Sequence, residues 1–140
     1  MKVLNAEIET FVHATEDLDK VLGSLKNLIP FEFTYETKKT FGHFKNPILV
    51  INTKIRGKDL RTFIKYLNAN LKERDKERIL RELEGRLDDR GRLFIRLDKM
   101  EAYRGTLTLG RGIQVTLQVT SYPFDRKKIL EELKKGAFMR

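Results

Sequence analysis

Arg92-Leu93-Phe94-Ile95-Arg96-Leu97-Asp98 and Ile113-Gln114-Val115-Thr116-Leu117-Gln118-Val119-Thr120 alternate strictly between apolar and polar side chains. Successive side chains of a strand point to opposite faces, so each segment reads as a strand with one buried and one wet face. Leu93, Ile95 and Leu97, with Ile113, Val115, Leu117 and Val119, are the inward set. As neighbours, the two strands would present an outer face of Gln and Thr dotted with Arg92, Arg96 and the ring of Phe94.

Working outward, residues 3–13 alternate in the same way, with Leu4, Ala6, Ile8 and Val12 opposite Asn5, Glu7 and Glu9. Thr15 is placed to cap a helix that carries Leu18, Val21, Leu22, Leu25 and Leu28 and stops at Pro30. Strands are predicted at 31–41 and 48–55, and helices at 58–72 and 75–86. Asp88-Asp89-Arg90-Gly91 reads as a turn. A further strand is expected at 105–109, joined to the one at 113–121 by Gly110-Arg111-Gly112 as a tight hairpin. A helix at 125–135 closes the order. Residues 1–140 thus predict one α+β domain, a largely antiparallel sheet with helices packed on one face.

The chain has 29 cations against 20 carboxylates, a formal charge of +9, and they are unevenly placed. Residues 1–37 hold three cations and seven carboxylates, so the excess lies entirely in the remainder. A basic region of that extent attracts polyanions by releasing condensed counterions. Residues 38–58 carry Lys38, Lys39, Lys45, Lys54, Arg56 and Lys58 without one carboxylate. The lysines around the turn Gly42-His43-Phe44-Lys45-Asn46-Pro47 read as phosphate contacts, and Phe41 and Phe44 as apolar anchors of the loop. A second cluster comprises Arg90, Arg92, Arg96, Lys99, Arg104 and Arg111. Residues 72–90 are charged too, but Glu77 with Arg81 and Glu82 with Arg86 stand four apart and can neutralise one another.

Other classes find little support. No stretch approaches the roughly 20 apolar residues of a bilayer span, and the absence of cysteine leaves no disulfide framework or zinc ribbon. These features, with an amino terminus unlike a signal peptide, predict a cytoplasmic protein without membrane contact. High charge and few glutamines resemble a heat-adapted composition. Ser24 and Ser121 lack an evident base, and His13 and His43 make a poor metal pair, so no cofactor, metal or catalytic group is expected. Asp88, Asp89, Asp98 and Glu101 read as turn and ion-pair residues in preference to Mg²⁺ ligands.

Three segments in order carry a family resemblance: His13-Ala14-Thr15-Glu16-Asp17, Gly42-His43-Phe44-Lys45-Asn46-Pro47-Ile48, and Leu93 through Asp98-Lys99-Met100-Glu101-Ala102-Tyr103-Arg104-Gly105. The chain resembles the archaeal RNA-binding domain family labelled a predicted exosome subunit. That resemblance implies a fold like the ribosomal protein that binds 5S RNA, and RNA as partner, with exosome or ribosome-related proteins nearby. Carried onto matching positions, it points to His13, His43, Asn46, Arg96, Lys99 and Arg104. One departure stands out: Lys45 occupies a place where a small residue, commonly Gly, is usual, and a positive φ there would strain it. The combined expectation is a non-catalytic RNA-binding protein using Lys38, Lys39, His43, Lys45, Asn46, Arg92, Arg96, Lys99 and Arg104. The rival is a protein-interaction subunit, a homodimer or adaptor, whose basic surface docks an acidic protein.

Overall fold

The computed structural model describes residues 1–136 apart from the side chain of His43. Five strands form one sheet in the order β2-β3-β1-β5-β4, every neighbouring pair antiparallel. They are β1 (Lys2–Val12), β2 (Glu36–Phe41), β3 (Pro47–Ile55), β4 (Arg92–Asp98) and β5 (Gly112–Thr120). The helices are α1 (Leu18–Leu28), α2 (Gly57–Asn70), α3 (Glu73–Arg81), α4 (Leu83–Arg86), α5 (Lys99–Tyr103) and α6 (Arg126–Lys134). The α+β antiparallel architecture matches the sequence expectation, and the two alternating segments that decided it are neighbours, with Leu93 opposite Leu117 and Ile95 opposite Val115.

Their inward residues are fully buried, together with Ala6 and Ile8 of β1 and Ile51 of β3. Leu25 and Leu28 of α1, Phe63 and Leu67 of α2, Ile79 of α3 and Ile129 and Leu133 of α6 complete that core. Thr10 and Thr53, the buried hydroxyls of the inner face, donate to the carbonyls of Gly112 and Thr34, as buried polar groups must. Among the described residues no helix is long and apolar enough to cross a membrane.

Several local expectations need correction. Leu4 is 44% exposed, because the β1–β5 register shifts between Val3 and Asn5 and breaks the alternation there. The α1 cap is Asp17, whose carboxylate accepts from the Asp19 N–H at 3.0 Å, and not Thr15. Strand β2 begins only at Glu36; Phe31 and Phe33 instead pack partly buried against the core. The helix expected at 75–86 breaks at Glu82 into α3 and α4. There Glu82 accepts from both Arg86 and Arg78, while no Glu77–Arg81 pair forms among the described residues.

Residues 105–109 are not a strand. They make isolated bridges, Leu71 to Leu107 and Leu97 to Leu109, so Gly110-Arg111-Gly112 is no hairpin turn. The backbone between β4 and β5 first turns into α5, whose N-cap is Asp98 accepting from Glu101 N–H at 2.9 Å. Asp98 is therefore a capping residue and not the partner of a neighbouring cation.

Candidate nucleic-acid interface

The strand directions bring parts of the two distant basic segments, Lys38 to Lys45 and Arg96 with Arg111, to one end of the sheet, while Lys54, Arg56, Lys58, Arg90 and Arg92 lie toward the other. The C-terminal ends of β1, β2 and β4 and the N-terminal ends of β3 and β5 lie together, as Phe41 opposite Pro47, Val12 opposite Leu49 and Asp98 opposite Gly112 show. On the open face at that end, Lys38 pairs with Val50 and Val50 with Phe11. Two residues back along β1 on the same face, Arg96 pairs with Gln114 and Gln114 with Glu9. At about 4.8 Å per strand spacing, the β2 and β4 rims stand about 19 Å apart, with Phe11 on the strand midway between them.

Around Phe11 lies a shallow groove of about 650 Å³ lined by Glu9, Phe11, Arg96, Arg111 and Gln114. Arg96 and Arg111 are exposed and take no carboxylate partner among the described residues. Phe11 is 39% exposed. Phe11, Glu9 and, as a contact, Arg111 are additions that the structure makes to the expected site. A signal for the first was present: by alternation Phe11 continues the polar set of Asn5, Glu7 and Glu9, an aromatic ring where a wet side chain is due.

The opposite rim is the β2–β3 connection. Lys38, Lys39 and Lys45 are all exposed, and β2 is an edge strand. Phe41 and Phe44 do not anchor the loop, being 67% and 88% exposed. Core-facing strands lie under the helices, whereas none of the six residues of this edge strand is buried. The turn has Phe44 at φ 63° and Lys45 at φ 59°, so Lys45 does adopt the left-handed conformation that favours glycine. It is held by Gly42 N–H donating to the Asn46 carbonyl at 2.8 Å and Lys45 N–H to the Gly42 carbonyl at 3.1 Å. Asn46 thus serves the turn through its backbone. The side chain of His43, in the same turn, lies outside the described residues.

Three other expected contacts fall elsewhere. Arg92 is at the far end of β4, bound to Asp88 at 2.6 Å with its guanidinium carbon 5.9 Å from the Phe94 ring centre. Asp88 also accepts the N–H groups of Arg90 and Arg92, which fixes the turn. Arg104 ends α5, which packs on α1, and pairs with Glu101 at 3.1 Å. Lys99 is only 13% exposed: its Nζ donates to the Phe11 carbonyl at 2.8 Å and lies 2.8 Å from Glu16 Oε2. It ties the end of β1, the turn before α1 and the start of α5 together, and its charge is already matched. His13 remains 58% exposed beside Glu16.

Glu16 feels opposed influences. Partial burial raises its pKa, but the Lys99 hydrogen bond, the His13 N–H and the charges of Lys99 and His13 together hold it below the usual carboxylate value. A lowered native pKa means that the folded state holds fewer protons than the unfolded chain at mildly acid pH. The pair's stabilisation is then complete above the ordinary carboxylate pKa and lost as pH falls through the depressed value. Denaturant midpoints measured from pH 7 downward should therefore fall more steeply for the native sequence than for Glu16→Gln. Parallel acid limbs would remove the pair from the stability of this corner.

A stripe of carboxylates bounds the site. Along the open face Glu36 pairs with Asn52, Asn52 with Glu9, and Glu7 with Lys54 and Thr116. Asn52 Nδ2 donates to Glu7 at 2.7 Å and reaches Glu9 at 3.4 Å. Glu7 and Glu9 of β1 thus lie on the central strand, between the two basic rims. Among the described residues no three His, Asp or Glu side chains gather as a metal site.

Comparison with known proteins agrees with this architecture. A family model described as RNA binding matches residues 5–119. The chain is 33% identical over 139 residues to RNA-binding protein PAB1135 of Pyrococcus abyssi, covering 93% of this chain and 90% of that protein. Among solved structures, protein AF2318 from Archaeoglobus fulgidus, of the DUF54 family, superposes with a TM-score of 0.88 at 35% identity, covering 96% of this chain and 99% of the other. Mth689, a DUF54 protein from Methanothermobacter thermautotrophicus, gives 0.80 at 32% identity over 95% and 96%.

Proposed function

Because the chain belongs to the RNA-binding family whose model spans residues 5–119, we propose that it is a non-catalytic RNA-binding protein gripping RNA at the Phe11 end of its sheet. The observation that carries this reading is the convergence there of Lys38 and Lys45 from one basic segment and Arg96 and Arg111 from the other, with an exposed ring between them. Lys38 and Lys45 on one rim, and Arg96 and Arg111 on the other, would contact phosphates, with Lys39 adding its charge from the opposite face of β2. His43 and Asn46 belong to the same rim by sequence. Lys99 would act by position, holding Phe11 through its carbonyl. Arg92 and Arg104, each beside a carboxylate, would add to the long-range field more than to contact. Such contacts position RNA with little sequence readout. A setting beside RNA-degrading or ribosome-maturing proteins in the cytoplasm follows the family resemblance and belongs to the proposal.

Binding of a fluorescent hairpin RNA across a salt series tests this. Arg96→Ala/Arg111→Ala should weaken binding roughly tenfold near 0.15 M salt and lower the salt slope by about two counterions' worth. The far-end substitution Arg92→Ala should change it far less. Equal losses at both ends would move the interface, and salt-insensitive binding would defeat the reading. The rival of docking through protein has one favouring feature, the uncovered edge of β2. It gains if RNA binding is weak and light scattering shows a dimer.

A further inference from the structure

The groove beside Phe11 contains a carboxylate, and a surface that holds phosphates has no use for one unless it accepts hydrogen bonds. Glu9 is half-buried between two neutral neighbours, Asn52 and Gln114. Asn52 gives its short bond to Glu7, leaving Glu9 a single contact at 3.4 Å. No cation pairs with Glu9 among the described residues. Arg96 is two strands away along the same row, about 10 Å by strand spacing. The groove therefore presents a ring to stack on, a bidentate acceptor of unused capacity, and two arginines beyond it.

Resting on the RNA-binding reading above, we infer that this groove takes one unpaired, splayed-out guanine, stacked on Phe11 and read by Glu9. The carboxylate has two acceptor oxygens and no donor when ionised. Guanine presents two adjacent donors on its Watson–Crick edge, N1–H and the N2 amino group. Adenine and cytosine each place an acceptor beside their amino group, and uracil offers one donor between two carbonyls. In a duplex that edge is occupied and the base cannot reach a ring, so the groove selects loops, bulges or single strands. Arg96 and Arg111 would hold the flanking phosphates, which explains how an acidic side chain is tolerated in the site. The β2 rim, with exposed Lys38 on the same face as Phe11, would track the neighbouring nucleotides without readout.

The experiment uses the full chain and hairpins of one stem whose loop carries guanosine, inosine or adenosine at a single position, with the blunt duplex as a fourth probe. Guanosine should bind roughly tenfold tighter than adenosine, and inosine, which keeps N1–H but lacks the amino group, should fall between. Glu9→Gln should erase most of that order while leaving binding to the adenosine loop unchanged or stronger. Phe11→Leu should weaken all loops, by up to roughly tenfold, and leave the duplex unaffected. Circular dichroism would verify that both variants fold.

A guanosine preference that persists in Glu9→Gln, or equal affinity for all three loops and the duplex, overturns the guanine site while leaving salt-dependent RNA binding standing. Failure of every probe to bind overturns the RNA reading itself, and this inference with it.

Discussion

Gly91→Ala is expected to destabilise the protein by about 3 kcal/mol or more, lowering the thermal midpoint by about 10 °C. Gly91 closes the Asp88–Gly91 turn at φ 81°, where only glycine is unstrained. An added Cβ would run into the Val119 carbonyl oxygen and stand 3.0 Å from Phe124 Cε2. The obstacle is backbone of β5, and it cannot swing aside as a long side chain would. Moving it breaks the hydrogen bond in which Val119 N–H donates to the Gly91 carbonyl at 2.7 Å. Steric collision, backbone strain and a lost bond therefore act together. Gly85→Ala is the control. Gly85 lies within α4 and an added methyl meets nothing within 4 Å, so the change should be neutral or mildly stabilising. Chemical denaturation of both variants decides it; equal midpoints would mean that the turn tolerates a side chain.

Gly112→Ala should cost about 2 to 3 kcal/mol and disturb the groove beside Phe11 as well. At φ 113°, Gly112 starts β5 under the stem of Lys99, and a Cβ would come within 2.6 Å of Lys99 Cβ. The first carbon of a side chain is fixed to its backbone, so relief requires the β4–α5 junction to move. That pulls Nζ from the Phe11 carbonyl and from Glu16. Two readouts separate this from a general loosening. The Glu16 carboxyl, freed of Lys99, should titrate closer to the ordinary carboxylate value in an NMR titration. Loop RNA should lose affinity more than duplex RNA does. A destabilised variant in which Glu16 titrates as before would place the strain somewhere other than Lys99.

The period-2 alternation made the strands legible because one face of each is buried and its register is therefore strongly specified. Leu93–Leu97 and Ile113–Val119 were read without error. Leu4 escaped because a bulge moves one residue without changing the composition around it. The segment 105–109 reads as a strand, yet its backbone makes only isolated bridges, Leu107 to Leu71 and Leu109 to Leu97. Phe41 and Phe44 were assigned to the core on a general expectation about loops. Whether a helix covers a given stretch of strand depends on the whole packing, and an edge strand leaves its aromatics outside.

The sequence by itself determined the α+β class, the inward set of the 92–98 and 113–120 strands, the turn at Asp88–Gly91 and the presence of two basic segments. All follow from local periodicity, turn chemistry or charge, which are properties of neighbouring residues. The tertiary structure alone decided that β1 lies between β3 and β5, because strand order is fixed by how helices and connections pack, and no local pattern encodes it. That single placement sets Glu7 and Glu9 between the basic rims, brings Lys38 and Arg96 to flank Phe11, and leaves Lys99 bound to Glu16. Net charge along the chain predicts attraction to a polyanion; where that polyanion can lie depends on which strands the chain sets side by side.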